Sequence, residues 1–139
     1  MKNTDNEYRI KVSNRQTIDS ETDTIEETAY GNYTEKNGKQ YITYKTENDG
    51  DKISSMIKID GNEILIKRTG SVNSSMTYKV DTKKEFLYHL PYGTVPMEIE
   101  TQRIVSKLDE NGGTIELVYT LTVQDEKYFN DMKITVSKR

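Results

Sequence analysis

Gly112-Gly113-Thr114-Ile115-Glu116-Leu117-Val118-Tyr119-Thr120-Leu121-Thr122-Val123 is the stretch that decides the fold. Ile115, Leu117, Tyr119, Leu121 and Val123 fall on every second position and form the longest unbroken apolar face in the chain. Successive side chains of a strand point to opposite faces, so this spacing describes a strand with one dry side and one wet side. Outward from it the same period recurs. Tyr8, Ile10 and Val12 alternate with Arg9 and Lys11, and Ile42 pairs with Tyr44. Ile53, Ser55, Ile57 and Ile59 share a parity, as do Ile64, Ile66 and Arg68, then Met76, Tyr78 and Val80, and Phe86, Tyr88 and Leu90. Val95, Met97, Ile99, Thr101, Arg103 and Val105 alternate with Glu98, Glu100 and Gln102, and Met132, Ile134 and Val136 close the chain. No helical period appears; the acidic stretch from Asp19 to Glu27 has room for a single turn of helix at most.

Turn-forming clusters separate these runs at intervals of roughly eight to twelve residues. They are Asn37-Gly38, Asn48-Asp49-Gly50-Asp51, Asp60-Gly61-Asn62, Pro91-Tyr92-Gly93 and Asn111-Gly112-Gly113. Gly and Asn accept the positive φ of tight hairpin turns, and Pro presets φ at a turn position. Gly31 interrupts the second run and signals a bulge or a close backbone approach, and Pro96 a strand start or bulge. Sequential hairpins favour an up-and-down order, and closing that order removes exposed edges. The expected fold is therefore an all-β antiparallel barrel of about eight to ten strands. It forms one domain over residues 1–139, with no linker or low-complexity tract inside it.

The 23 acidic and 20 basic residues are interspersed, for a net charge of −3. Phosphate binding needs a concentrated basic surface, so nucleic acid is not expected as a partner. No cysteine is present, which removes disulfides and thiol chemistry and fits a cytoplasmic protein. Met1-Lys2-Asn3-Thr4-Asp5-Asn6-Glu7 has no apolar signal core, and no run reaches membrane-spanning length. A monomer or homodimer is expected.

From Ile57 to Val136 the chain carries Arg68-x-Gly70, Ser75-Met76, Tyr88-x-x-Pro91-Tyr92-Gly93, Met97-Glu98 with Thr101, Gly112-Gly113, and Leu117-x-Tyr119-x-Leu121. Upstream stand Gly31-x-Tyr33 and Tyr41-x-x-Tyr44-x-x-Glu47. The ordered set resembles the YwiB-like bacterial β-barrel proteins of unknown function. Leu90 departs from that pattern, where a small hydroxyl residue is expected. The resemblance implies a calycin-like barrel, related in architecture to the lipocalins. It implies no reaction and no catalytic residues, and architecture alone does not transfer function.

His89 is the single histidine and lies out of parity with Phe86, Tyr88 and Leu90, so it is expected at the surface. One histidine and no cysteine cannot assemble a zinc site of the usual kind. Asn48-Asp49-Gly50-Asp51 and Asp109-Glu110-Asn111-Gly112 lack the alternating ligands of a calcium loop and read as hairpin turns. No acid, base and nucleophile constellation stands out, and no catalytic residue or cofactor is assigned. Arg68 and Arg103 are different, because alternation puts both on apolar faces. A buried guanidinium must be paired or hydrogen-bonded. Tyr44, Tyr78, Tyr88 and Tyr119, with Thr101, are the expected neighbours. Such a lining suits a small amphipathic ligand with an anionic head, held without catalysis inside the barrel. The competing readings are that Arg68 reaches the rim and ties a loop carbonyl or Glu47, and that a bulge near Gln102 turns Arg103 outward. In the alternative function, the barrel is filled, binds nothing and serves as a protein-interaction module. On the opposite parity, Thr120 is expected to be a surface residue.

Overall fold

The structure is a computed structural model and describes residues 7–139. Ten strands follow one another: β1 (Tyr8–Ile18), β2 (Glu21–Lys36), β3 (Lys39–Asn48), β4 (Asp51–Asp60), β5 (Glu63–Gly70), β6 (Ser74–Lys79), β7 (Lys83–Leu90), β8 (Gly93–Asp109), β9 (Gly112–Val123) and β10 (Glu126–Lys138). They form one antiparallel sheet in the order β6-β5-β4-β3-β2-β1-β10-β9-β8-β7. Two meanders are thus welded by their outer strands: β1 pairs with β10 from Tyr8↔Lys138 to Thr17↔Phe129. Curling of this sheet brings its edges, β6 and β7, together and makes a nearly closed barrel. The edges meet at isolated bridges, Asn73↔His89 near one end of the seam and Val80↔Thr101 near the other. At the second, the Asp81 amide donates to the Thr101 carbonyl at 3.0 Å. No continuous ladder joins β6 to β7 among the described residues. The six residues ahead of Glu7, which carry most of the expected leader-free N-terminus, lie outside the described residues. Among the described residues no helix is long and apolar enough to cross a membrane.

The turns follow local chemistry. Asn37 and Gly38 have φ of 55° and 78°, and Asp49 and Gly50 have 54° and 86°, the paired positive values of a type I′ hairpin. Gln124-Asp125 makes the same kind of turn with φ of 50° and 70° and no glycine. This turn carries no strong sequence signal. The long β9–β10 ladder on both sides holds it in a region that side chains enter rarely. Asp19 and Ser20 form another two-residue connection, so the acidic stretch after them is strand from Glu21 onward and not a turn of helix.

The inner face is a filled core. Ile10, Ile42, Ile57, Ile64, Ile99, Ile115, Leu117 and Ile134 are all essentially without exposure, and they come from seven different strands. The parity of β8 changes at a register shift between Thr101 and Arg103, a β-bulge at Gln102. Beyond it Ile104 and Leu108 pack on the core, and Val105 leaves the inward set. The bulge also corrects the expectation for Thr120. This residue is only 8% exposed, and its hydroxyl lies 3.4 Å from Gln102 Oε1, its acceptor. Thr120→Ala is therefore expected to cost about 1 kcal/mol, the net value of a hydrogen bond, and not to be neutral as at a free surface. Urea denaturation of the two proteins measures the difference.

Candidate functional site

A row of directly opposed residues crosses the inner face of β2 to β6: Gly31, Tyr44, Ser55, Arg68 and Ser74. On the other side of the seam, Thr101, Tyr119 and Asn130 oppose one another across β8, β9 and β10. Alternation forces each of these side chains to the face that carries the isoleucines. Tyr78 of β6 closes the gap between the rows, its ring edge-on to Tyr119 with centroids 4.8 Å apart. The result is a polar layer inside an otherwise apolar barrel. Ser55, Tyr44, Ser74, Tyr78, Thr101, Tyr119 and Asn130 are all buried.

Electrostatics tie this layer to one charge. Burial pushes the Tyr44, Tyr78 and Tyr119 phenols above their ordinary value, Tyr78 well above it, because a dry site disfavours the phenolate. The Arg68 guanidinium acts on all three in the opposite sense. Arg68 thus stands at the centre of three buried tyrosines. The Tyr44 hydroxyl donates to Glu27 Oε1 at 3.5 Å, and the Tyr78 hydroxyl to Met76 Sδ at 3.3 Å. Asn130 Oδ1 accepts from Asn14 Nδ2 at 3.0 Å and Gln16 Nε2 at 2.9 Å. Among the described residues three buried side-chain polar atoms are left without a partner: Ser74 Oγ, Thr101 Oγ1 and Asn14 Oδ1. All three belong to inward-facing residues of this layer, and an unmade buried hydrogen bond costs about 1–3 kcal/mol.

A raised phenol pKa has a consequence at alkaline pH. The neutral phenols favour the fold fully below the unfolded value of 10.0, and that contribution is lost as pH rises through the higher folded values. Absorbance at 295 nm is expected to show these three tyrosines ionising after the exposed ones, together with loss of the fold. Early, reversible ionisation of all tyrosines with the fold intact would contradict the buried layer.

The seam bears a cleft lined mainly by exposed residues, with Arg68 and Ser74 of the layer in its wall. A cavity of about 430 Å³ lies there, lined by Lys67, Arg68, Asn73, Ser74, Phe86, Leu87 and His89, with no acidic side chain in its wall. Arg68 therefore lines the opening and also reaches the buried tyrosines. Other cavities include one of about 570 Å³ that takes in two members of the layer, Tyr44 and Ser55, with Tyr30, Thr43, Lys45 and Met56, and one of about 480 Å³ lined by Glu85, Leu87, Pro96 and Glu98. The fully buried isoleucines line none of these three. These three cavities thus lie away from the isoleucine core.

Of the residues singled out from the sequence, Arg68, Tyr44, Tyr78, Thr101 and Tyr119 converge on this layer. Arg103 does not. The bulge turns it outward, where its side chain is 59% exposed and lies 3.5 Å from Glu116. Tyr88 is half-buried on β7 opposite Val95 and is absent from the groups acting on the three buried tyrosines. Glu47 is exposed and opposite Lys52, not tied to Arg68. His89 is exposed at the seam bridge. Sequence reasoning missed Ser74, Glu27, Asn14, Gln16 and Asn130 as members of the site. Parity alone could have found Asn130 and Glu27, which lie two positions from Met132 and Ala29. No group of three His, Cys, Asp or Glu residues able to hold a metal occurs among the described residues.

A ten-stranded antiparallel β-barrel with a polar layer behind one open seam is the class of protein that this geometry defines. The chain belongs to the family described as a domain of unknown function (DUF1934), whose model matches residues 10–136. It is 30% identical over 118 residues to the uncharacterized β-barrel protein YwiB of Bacillus subtilis (strain 168), covering 84% of this chain and 83% of that one. The crystal structure of the ywiB protein from Bacillus subtilis superposes with a TM-score of 0.88 at 26% identity, covering 95% of this chain and 91% of that one. The resemblance read from the ordered motifs and the barrel read from the alternation are both shown.

Proposed function

We propose that this protein is a non-enzymatic cytoplasmic binding protein for a small amphipathic anion, taken up at the β6–β7 seam. The observation that carries this reading is Arg68, a full charge that lines a 430 Å³ opening beside the unpartnered, buried Ser74 hydroxyl. No carboxylate among the described residues forms an ion pair with it. Its guanidinium offers a fork of donors suited to a carboxylate, and Phe86 and Leu87 offer apolar surface for the ligand's body. The volume falls within the range of small-ligand sites. The absence of cysteine fits a reducing compartment.

The test is binding of 2-naphthoate, a fluorescent aromatic carboxylate, to wild type and to Arg68→Met. The variant keeps the apolar stem and removes the charge. A charge-assisted hydrogen bond is worth about 1.5–3 kcal/mol, so binding is expected to weaken about 10- to 100-fold. Equal binding by both proteins would make Arg68 structural. The filled isoleucine core favours the second reading, a protein-interaction module, which predicts no binding by either protein.

A further inference from the structure

We propose that the fork between β2 and β3 is a strand-docking site, where a basic, extended segment of a partner protein pairs with the free edge of β2. This site does not depend on Arg68. β2 changes neighbours along its length. Glu21 to Gly31 pair with β1, without a register shift from Ile18↔Glu21 to Tyr8↔Gly31. On its other side only Gly31 to Lys36 pair with β3. Beyond Tyr44, β3 continues from Lys45 to Asn48 paired with β4 alone. The two strands therefore part at Gly31 and Tyr44, and among the described residues no ladder or isolated bridge rejoins them. The vertex is tight, since a Cβ at Gly31 would run into the Thr43 carbonyl oxygen. The cavity of about 570 Å³ lies at this vertex, with Tyr30, Tyr44 and Lys45 in its wall.

From Glu21 to Tyr30, one side of β2 thus presents backbone donors and acceptors that no neighbouring strand of this chain takes up, the template for an added strand. Glu21 through Glu26 are all exposed. Ile25 has the inward parity of Ala29 yet is 59% exposed, because no strand beyond the fork covers that face. Edges that must stay unpaired are short, or carry Pro, Lys or a bulge. This one is long and regular, has none of those three, and holds the strand-favouring Thr22, Thr24, Ile25 and Thr28. Its charge selects the occupant. Glu21, Asp23, Glu26 and Glu27 are acidic, and Glu21 to Tyr30 contain no basic residue. Glu26 lies 4.0 Å from Lys11, and Glu27 accepts from the Tyr44 hydroxyl at 3.5 Å. Glu21 and Asp23 form no ion pair among the described residues. A second copy of this edge, paired antiparallel about Ile25, would set Asp23 against Glu27, and like charges directly opposite are destabilising. A strand with an apolar residue between lysines meets Asp23, Ile25 and Glu27 in turn, all on one face.

The probe is the synthetic peptide Lys-Val-Lys-Thr-Val-Thr-Lys-Val-Lys, whose central valine would oppose Ile25 in an antiparallel pairing. Isothermal titration of the full chain at pH 7 compares it with two relatives. One has glutamate for every lysine. The other has proline for the central Thr-Val-Thr, which keeps the charge and removes the amides a strand donates. The probe is expected to bind wild type, and each relative to bind weaker by about tenfold or more. Amide hydrogen exchange is expected to slow within Glu21–Tyr30 on binding. Ile25→Lys, at an exposed position, should keep the urea midpoint and lose affinity by about tenfold or more. Failure of the probe to bind wild type overturns the docking site, and that result depends on no variant. Equal binding of the proline peptide overturns it too, since charge attraction would then suffice, as does protection confined to other strands. Equal binding of the glutamate peptide overturns the basic partner. So does a wild-type dimer in sedimentation that Ile25→Lys converts to monomer, which would make the occupant a second copy of this chain. None of these outcomes alters 2-naphthoate binding at Arg68, so the two sites stand or fall separately.

Discussion

Leu117→Ala is expected to destabilise the barrel by about 2–5 kcal/mol, the largest single loss among the substitutions considered. Leu117 has no exposed surface and sits between Ile104 of β8 and Met132 of β10 on the inner face. Truncation removes the transfer free energy of the lost methyl groups and leaves a cavity. The surrounding isoleucines are held by paired strands on both sides, so collapse into that cavity is limited. Equilibrium urea denaturation measures the loss as a lower midpoint with an unchanged slope. A cost below that of Thr120→Ala would mean that the inward parity of β9 is wrong by one residue, and every inward assignment on that strand would turn outward.

Gly31→Ala is expected to destabilise by about 1–3 kcal/mol or more through the opposite defect, overpacking. A Cβ at Gly31 would run into the Thr43 carbonyl oxygen and lie 2.8 Å from both Ile10 Cδ1 and Tyr44 Cβ. The first obstacle is backbone of the neighbouring strand, which no rotamer change can move aside. β2 and β3 would have to separate where Tyr44 enters the polar layer, because Gly31 opposes Tyr44 directly. The same variant is therefore expected to weaken 2-naphthoate binding as well as stability. A Gly31→Ala protein with wild-type midpoint and wild-type affinity would show that this approach is looser than described.

These two positions also show why some of the molecule was legible beforehand. Leu117 could be assigned from its neighbours two residues away, since the period of a strand is local. Gly31 could be flagged as a bulge or a close approach. Only the pairing of β2 with β3 decided between them, by bringing the Thr43 carbonyl against it. Arg68 and Arg103 make the same contrast. Alternation assigned both to apolar faces, and β5 runs regularly through Arg68. One extra residue at Gln102 reverses the parity of β8 and sends Arg103 to Glu116. A bulge of this kind satisfies pairing with β9, a strand that the local pattern around Arg103 does not contain.

The site was partly legible for the same reason. Tyr44, Tyr78, Thr101 and Tyr119 were found because each follows the parity of adjacent apolar residues. Ser74, Asn14 and Asn130 were missed because their importance is that they lack, or share, partners more than a hundred residues away in some cases, as Asn14 with Asn130. By itself the sequence determined the strands, most of the turns and the facing of most side chains, since these depend on interactions within a few residues. Only the tertiary structure decided that β1 pairs with β10, that the centre is filled, and that the barrel opens at β6 and β7. Those outcomes are set by how the strands sum around a closed wall. The volume left inside is a property of all the inward side chains together and belongs to no single stretch of the chain.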